Sequence, residues 1–401
     1  MVESINLSEI CTFKQCGGTP DIISPDYWDG EFPWLSSGET SSLFVYDTKE
    51  HITCQAVSDY KLKLIEKGSL VIARSGQGFT RGQVSMCMND MYVNDGVIVI
   101  VPDTRVIDPF YLLYNLHSRY DEIRVLSDSN SCRGNLNAQI LSEMTIDLPE
   151  ISTQKKVAYL LKLFDKKIHF NNQINDNLLQ LARLEYISFK NDNEYASKPL
   201  SKVASFNAKS INNKGSFKVI NYLDTGSITS GIVTSYQQLD TEIDEIPSRA
   251  KRLVQPNDII FSTVRPNQNH FGILTSIPDN CVVSTGFTTI SSMSGSISNE
   301  MIYLEITSEA VVAAMQQIAE TSTSAYPSIR PEDLGEVEVP IFSNSEKLMK
   351  TLSTIFQIID SNQREIRSLD NLRDFLLPKL MSGEIDVSTL DIPTKYSFIS
   401  R

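Results

Sequence analysis

The chain says nearly the same thing twice: Leu7 to Phe13 (LSEICTF) is echoed by Leu200 to Phe206 (LSKVASF). Gly68-Ser-Leu-Val-Ile-Ala is answered by Asn257-Asp-Ile-Ile-Phe-Ser, Asp95-Gly-Val by Thr285-Gly-Phe, and Thr145-Ile-Asp-Leu-Pro149 by Glu336-Val-Glu-Val-Pro340. The copies lie about 189 to 195 residues apart and differ by short insertions. Internal repetition constrains architecture before any single motif does. Two copies are too few for a solenoid. They predict a pseudo-twofold molecule that does one job at two places.

Each copy reads as a mixed globular part followed by a long helix. Short β-type runs, Ser69 to Ala73 and Gly96 to Val101 in the first copy, Asp258 to Ser262 and Cys281 to Ser284 in the second, sit among Gly, Pro, Asn and Asp. Short helices are expected at Pro109 to His117 and at Asn299 to Gln317. The fold class is therefore α+β, with a curled, barrel-like sheet in each globular part.

From Thr153 to about Lys190 there is neither proline nor glycine, and Val157, Leu161, Phe164, Ile168, Leu178 and Leu181 recur at helical spacing. After Glu346 the same holds for Leu348, Leu352, Ile355, Ile359, Ile366, Leu369, Leu372 and Leu376. Polar residues interrupt both seams, around Asn171 and Asn362. At ~1.5 Å per residue, a helix of about 36 residues is roughly 54 Å long, more than a small domain needs to cross itself. Each helix either packs on its own domain or, as the length favours, pairs with the other, coiled-coil fashion, as a spacer whose buried Asn helps set register. The boundaries are then 1–150 for the first globular domain, 151–196 for the central helix, 197–342 for the second domain, 343–387 for the C-terminal helix and 388–401 for a tail.

The 401 residues carry a net charge of −13, which would ordinarily argue against nucleic acid, because neutralising phosphate dominates DNA affinity. The imbalance lies mostly in residues 1–150, with 11 basic and 21 acidic side chains, while 151–196 hold 7 and 5. Contact with DNA would need local basic loops, a cationic partner, or both. The six cysteines show no Cys-x-x-Cys spacing and the four histidines are scattered, so neither a disulfide framework nor a metal site is expected. No apolar run approaches the ~18 residues of a membrane span, and the N-terminus lacks the basic and apolar regions of an export signal. A cytoplasmic protein without membrane contact is expected.

In order along the chain stand Gly17-Gly-Thr-Pro20, Tyr27-Trp-Asp-Gly30, Phe32-Pro-Trp34 and Ala73-Arg-Ser-Gly76. Then come Pro247-Ser-Arg-Ala-Lys-Arg252, Asn257 to Pro266 (NDIIFSTVRP) and Val283-Ser-Thr-Gly-Phe287. The stretches Leu148 to Gln154 and Phe164-Asp-Lys-Lys-Ile168, and the end Leu372 to Ile385 (LRDFLLPKLMSGEI), complete the series. Each motif alone is weak, but their order within a two-copy frame resembles the specificity subunit of type I restriction-modification systems, from about residue 5 to 387.

That resemblance implies two target-recognition domains, each meeting one half of a bipartite double-stranded DNA sequence, with antiparallel helices fixing the gap. It implies two methyltransferase subunits and, in the complete assembly, two restriction subunits as partners. S-adenosylmethionine, ATP and Mg would belong to those partners and no cofactor to this chain. No Asn/Asp-Pro-Pro-aromatic motif beside a glycine-rich cofactor loop and no phosphate loop occurs in the sequence. A non-catalytic reader is expected.

Reading bases requires side chains with paired donors or acceptors, Arg or Lys for guanine and Asn or Gln for adenine. In the second domain these are Arg249, Lys251 and Arg252, the loop Arg265, Asn267, Gln268 and Asn269, and the cluster Lys209, Asn212 and Lys214. In the first they are Arg74, Gln77, Arg81 and Gln83, in a loop whose glycines permit close backbone approach. The helix lysines Lys155, Lys156, Lys162, Lys166 and Lys167 are expected to face solvent or a partner. Two rivals stand beside this reading: the recognition subunit of a related fused or phage-borne system, and a two-lobed adaptor that binds protein and not DNA, which the acidic composition favours.

Overall fold

A computed structural model describes residues 3–14, 18–76, 79–128, 136–211, 217–322 and 326–392. Gln77, Asn212 and Lys214, three of the expected DNA-facing residues, lie outside the described residues. The chain divides into two compact units, Met1–Lys167 with Leu369–Arg401, and Ile168–Ser368.

In the first unit, β1 (Cys11–Lys14), β2 (Phe44–Val45), β3 (Leu70–Ala73), β4 (Val84–Cys87) and β5 (Val97–Pro102) form a sheet in the order β1-β5-β3-β4-β2. Strands β3 and β4 are buried throughout, and β3 accordingly reads as a continuous apolar run instead of an alternating one. A separate three-stranded sheet holds Trp28–Leu35, Glu50–Ile52 and Tyr92–Val93. There Trp34 is buried and stands edge-on to Trp28, with ring centroids 6.3 Å apart. Helix α1 (Pro109–Ser118) starts with Pro at its first position and Asp108 capping the amides of Phe110 and Tyr111. It packs into the core formed with β3, β4 and β5. The long helix α2 (Ile151–Asp192) begins in this unit and ends in the other.

The second unit contains two four-stranded sheets. One runs β6 (Ala204–Phe206), β13 (Phe287–Ser292), β10 (Asp258–Ser262), β11 (Phe271–Leu274). The other runs β8 (Gln237–Asp240), β7 (Val219–Leu223), β12 (Cys281–Ser284), β9 (Ala250–Leu253). The single helix expected over Asn299 to Gln317 is instead α3 (Asn299–Ile306) and α4 (Glu309–Glu320). The chain breaks at Thr307-Ser308, where the Thr307 hydroxyl back-bonds to the Tyr303 carbonyl at 2.6 Å and Ser308 stands at the next N-cap. Ser and Thr compete for backbone groups in this way and favour helix ends. Helix α5 (Glu346–Met381) begins in this unit and ends in the first.

The repeat is visible as structure. In one unit the pair Glu3–Asn6 and Thr145–Leu148 is antiparallel and leads into α2; in the other, Tyr195–Pro199 and Glu338–Phe342 pair the same way and lead into α5. Leu7 and Leu200, the matched residues of the two copies, are both fully buried.

Within each unit the long helices share the core and run antiparallel. In the first unit Val157, Ala158 and Leu161 cluster with Leu377 and Leu380. The Asp165 carboxylate, buried there, accepts from Arg373 Nη1 at 2.7 Å and from the Tyr114 hydroxyl. In the second unit Ala182 and Tyr186 cluster with Leu348, Leu352, Ile355 and Phe356. Buried Asn171 donates to Glu365 at 2.8 Å, and Asn362 donates to Asn175 at 2.8 Å. The polar interruptions of the sequence seam are thus contacts between the two helices.

The seam departs from the expected one at two places. Leu181 and Leu372 are each 45% exposed, and Ala182, Tyr186, Leu377 and Leu380 do the packing. At 3.6 residues per turn a straight helix drifts about 20° per heptad away from a 3.5-residue stripe, so the buried line passes to Ala182 and leaves Leu181 outside. Phe164, Ile168, Leu178, Ile359, Ile366 and Leu369 are half-buried. Lys162 is not solvated as expected: its Nζ lies 3.6 Å from the Phe110 ring centroid, and burial pushes its pKa down to about 8.

Arg373→Met would leave the Asp165 carboxylate buried with the Tyr114 hydroxyl. A cost of about 3 kcal/mol in urea unfolding of the first unit is expected. Asp165→Leu combined with Arg373→Met and Tyr114→Phe should recover most of it, because apolar groups of similar volume remove the desolvation costs without orphaning the Tyr114 hydroxyl.

Candidate nucleic-acid interface

In the second unit, backbone hydrogen bonds tie the two basic loops to one turn. Thr285 N–H donates to the Arg249 carbonyl and Thr263 N–H donates to the Gly286 carbonyl, each at 2.8 Å. The Arg249 loop and the strand leading into Arg265 therefore flank the Thr285-Gly286 turn. On the other side of β9, Ile211 N–H donates to Lys251 and Leu253 N–H to Lys209, at 2.8 and 3.1 Å. Lys209, Arg249, Lys251 and Arg252 are thus held on adjacent stretches of backbone, although forty residues separate them in sequence.

A register shift between Ala250 and Arg252 marks a β-bulge at Lys251, a device that re-aims side chains. Lys251 and Arg249 are exposed, whereas Arg252 is half-buried, with Nη1 buried and unpartnered among the described residues. Burial pushes the Arg252 pKa down. Lys251 also borders a cleft of about 440 Å³ lined by Phe217, Ile220, Ile246 and Pro247.

Beyond β10 the chain turns through Pro266–Gln268 in a 3-10 turn flanked by Arg265 (φ 48°, ψ 68°) and Asn269 (φ 57°, ψ 32°), both left-handed. Non-glycine residues visit that region rarely and at a cost of about 1–2 kcal/mol. Three segments brace the turn. Arg265 N–H donates to Pro327 O at 3.0 Å, Asn267 N–H to Gln316 Oε1 at 3.3 Å, and Asn269 O accepts from Ser230 N–H at 2.7 Å. Arg265, Asn267 and Gln268 remain exposed and Asn269 is half-buried. The Arg265 guanidinium lies 5.7 Å from the Tyr326 ring centroid. The sequence reading missed Tyr326. Its only local signal was an aromatic residue placed before proline, a position biased toward extended backbone.

In the first unit the corresponding loop joins β3 to β4. Gly76 (φ 136°) and Gly82 (φ 87°) take conformations open to glycine, and a Cβ at Gly76 would meet the Thr80 side chain at 2.8 Å. Arg74 is half-buried and donates to the Asp95 carbonyl at 3.2 Å. Gln83 is half-buried in a cleft of about 400 Å³ shared with Phe79, His117 and Tyr120. Phe79 is 81% exposed. Arg81 does not fit the role expected of it: it is buried and ion-paired to Asp128. A guanidinium already committed to a carboxylate acts as a brace and has no free fork for a base.

That contrast extends through the chain. Arg81, Arg105, Arg119 and Arg373 all pair with carboxylates. Among the described residues, Lys209, Arg249, Lys251, Arg252 and Arg265 have no acidic partner within 4.0 Å, despite the net charge of −13. The acidic turn nearby satisfies itself instead: Asp240 Oδ1 accepts from Glu242 N–H and Asp244 Oδ2 from Asp240 N–H. A cationic face in an acidic chain is kept available by leaving its charges unpaired.

No helix of the described residues is long and apolar enough to cross a membrane, and among them no group of three or more His, Cys, Asp or Glu side chains could hold a metal. Among the described residues, Cys11, Cys54 and Cys281 are free thiols; Cys11, Cys87 and Cys281 are buried and Cys54 is exposed.

A family model for the type I restriction modification DNA specificity domain matches residues 1–180. The type I restriction enzyme MjaIX specificity subunit of Methanocaldococcus jannaschii is similar over 93% of this chain and 91% of its own length, at 23% identity. The type I restriction enzyme HindI specificity subunit of Haemophilus influenzae is 23% identical over 37% of this chain and 34% of its own. A crystal structure of a type I restriction-modification S subunit from M. genitalium has a like fold, with a TM-score of 0.58 at 15% identity, covering 94% of this chain and 95% of that one.

Arg249→Ala and Lys251→Ala are each expected to weaken DNA binding on all sequences and to lower the slope of log affinity against log salt by about one. A binding titration over a salt series checks this. Arg81→Ala should instead destabilise the first unit by about 2 kcal/mol in urea unfolding, through loss of a charged hydrogen bond.

Proposed function

This chain belongs to the family of type I restriction-modification DNA specificity subunits, and on that premise we propose that each of its two units reads one half of a bipartite DNA site. As a specificity subunit it is the non-catalytic, sequence-reading member of a complex. Methyltransferase and restriction subunits act where it directs them. In the complete assembly two of each are proposed to associate with one copy of this chain, bringing S-adenosylmethionine, ATP and Mg with them, in the cytoplasm.

The observation that carries this reading is the set of unpaired cations in the second unit. Lys209, Arg249, Lys251 and Arg252 are gathered by strand pairing, beside a braced loop that exposes Arg265, Asn267 and Gln268. Phosphate contacts fix position while base contacts specify, and this surface offers residue types for both. In the first unit, Arg74 and Gln83 on the β3–β4 connection are the proposed counterparts, together with Gln77 of the same stretch of sequence. The two loops differ in length, glycine content and residue type, which favours unlike half-sites. The acidic composition suits a reader that borrows electrostatic affinity from its partners.

Sequencing of methylated adenine in the host genome tests the reading. The expected result is a bipartite motif with different halves and one modified adenine in each. In the complex reconstituted with its methyltransferase subunit, the triple variant Arg249→Ala, Arg252→Ala, Arg265→Ala should still assemble but lose sequence-specific methylation. Methylation that persists with unchanged specificity would favour the adaptor reading.

A further inference from the structure

The loop Arg265–Asn269 is more rigid than attraction to phosphate requires. A phosphate contact needs charge and reach, and a flexible lysine on an open loop supplies both. Here Arg265 adopts a left-handed conformation that L side chains rarely take, immediately before a proline and with a second left-handed residue, Asn269, closing the same turn. The strain is held by fixed partners: the Val264–Ser328 bridge, the bond from Ile329 N–H to Thr263 O at 2.8 Å and that from Arg265 N–H to Pro327 O at 3.0 Å. Strain maintained in this way marks places where direction matters.

The same bracing puts Tyr326 under the guanidinium of Arg265, at 5.7 Å from the ring centroid. Stacking on an aromatic face fixes the plane of a guanidinium while leaving its N–H donors free at the edge, which a carboxylate partner would not do. Among the described residues Arg265 has no such carboxylate, and both side chains are exposed, Tyr326 at 64%. An exposed planar fork of donors over that ring matches the O6 and N7 acceptors that guanine presents in the major groove.

We infer that Arg265 reads a guanine in the half-site of the second unit and that Tyr326 is the positioning residue that holds its guanidinium in plane. This inference rests on the DNA-reading function proposed above and adds to it a base and a residue outside the set of cations and amides.

The test uses the chain in complex with its methyltransferase subunit and duplexes carrying the mapped motif. Guanines of the second half are replaced one at a time by 7-deazaguanine, which lacks the N7 acceptor. For the wild type, one position should lose about tenfold in affinity, the scale of a bidentate base contact. Arg265→Ala and Arg265→Lys should abolish the penalty at that position. Tyr326→Ala should reduce it severalfold with the salt slope unchanged, and Tyr326→Phe should keep it, because the stack needs the ring and not the hydroxyl. If Tyr326→Ala does not fold, Tyr326→Leu, which keeps bulk without a π face, gives the same readout. The inference is overturned by an unchanged penalty in the Tyr326 variants, or by an Arg265→Ala complex that binds all duplexes more weakly with a smaller salt slope, the signature of a phosphate contact. A wild-type complex that prefers no sequence would overturn the underlying function as well.

Discussion

Everything in this chain is organised around two long helices whose contacts combine apolar packing with buried polar pairs. Apolar burial alone would hold α2 and α5 together but tolerate sliding, because one leucine rung resembles the next. The polar contacts do not tolerate it. In the second unit Asn171 meets Glu365 and Asn175 meets Asn362, so a slip of one turn, about 5.4 Å, would break both. In the first unit the Asp165 carboxylate joins α1, α2 and α5 through Tyr114 and Arg373. The arginine's pKa is raised because attraction to Asp165 and Asp374 outweighs burial. Such groups favour one arrangement over its neighbours and contribute little net stability.

The second constraint is charge. With 49 acidic and 36 basic residues, carboxylates are in excess, and several arginines here serve as braces. Arg81 fixes the end of the helix containing Asp128, and Arg119 holds Glu122 and the Thr145 carbonyl. The cations of the second unit are left free by topology: β9 carries Lys251 and Arg252 between β12 and the segment around Lys209, with the acidic turn closed on itself. The division between bracing and available cations is a property of tertiary pairing, invisible to a count of residues.

This explains what could be read from the sequence. The repeat, the α+β class and the long helices were legible because they are periodic signals that many residues carry together. The roles of Asn171 and Asn362 were legible too, as polar breaks in apolar stripes. Leu181 was misplaced because leucine outweighs alanine on any hydrophobic count, while helix drift had already turned that face outward and brought Ala182 in. Arg81 was misassigned because its partner Asp128 lies 47 residues away, on an element no local pattern connects to the loop. Tyr326 was missed because its relation to Arg265 depends on a strand-like pairing of distant segments.

The two constraints meet in the way such a chain can discriminate between DNA sequences. Nonspecific affinity grows with every phosphate neutralised, and a strongly basic reader would spend most of its encounters on wrong sites. An acidic one with a few free, fixed cations binds poorly everywhere until several contacts form at once. Each directional contact then counts for a larger share of the total, and specificity is a ratio of affinities. A strained turn and an arginine set over an aromatic ring lose less conformational entropy on binding than a mobile side chain would. They therefore suit a surface that gains its selectivity from geometry more than from bulk electrostatic attraction.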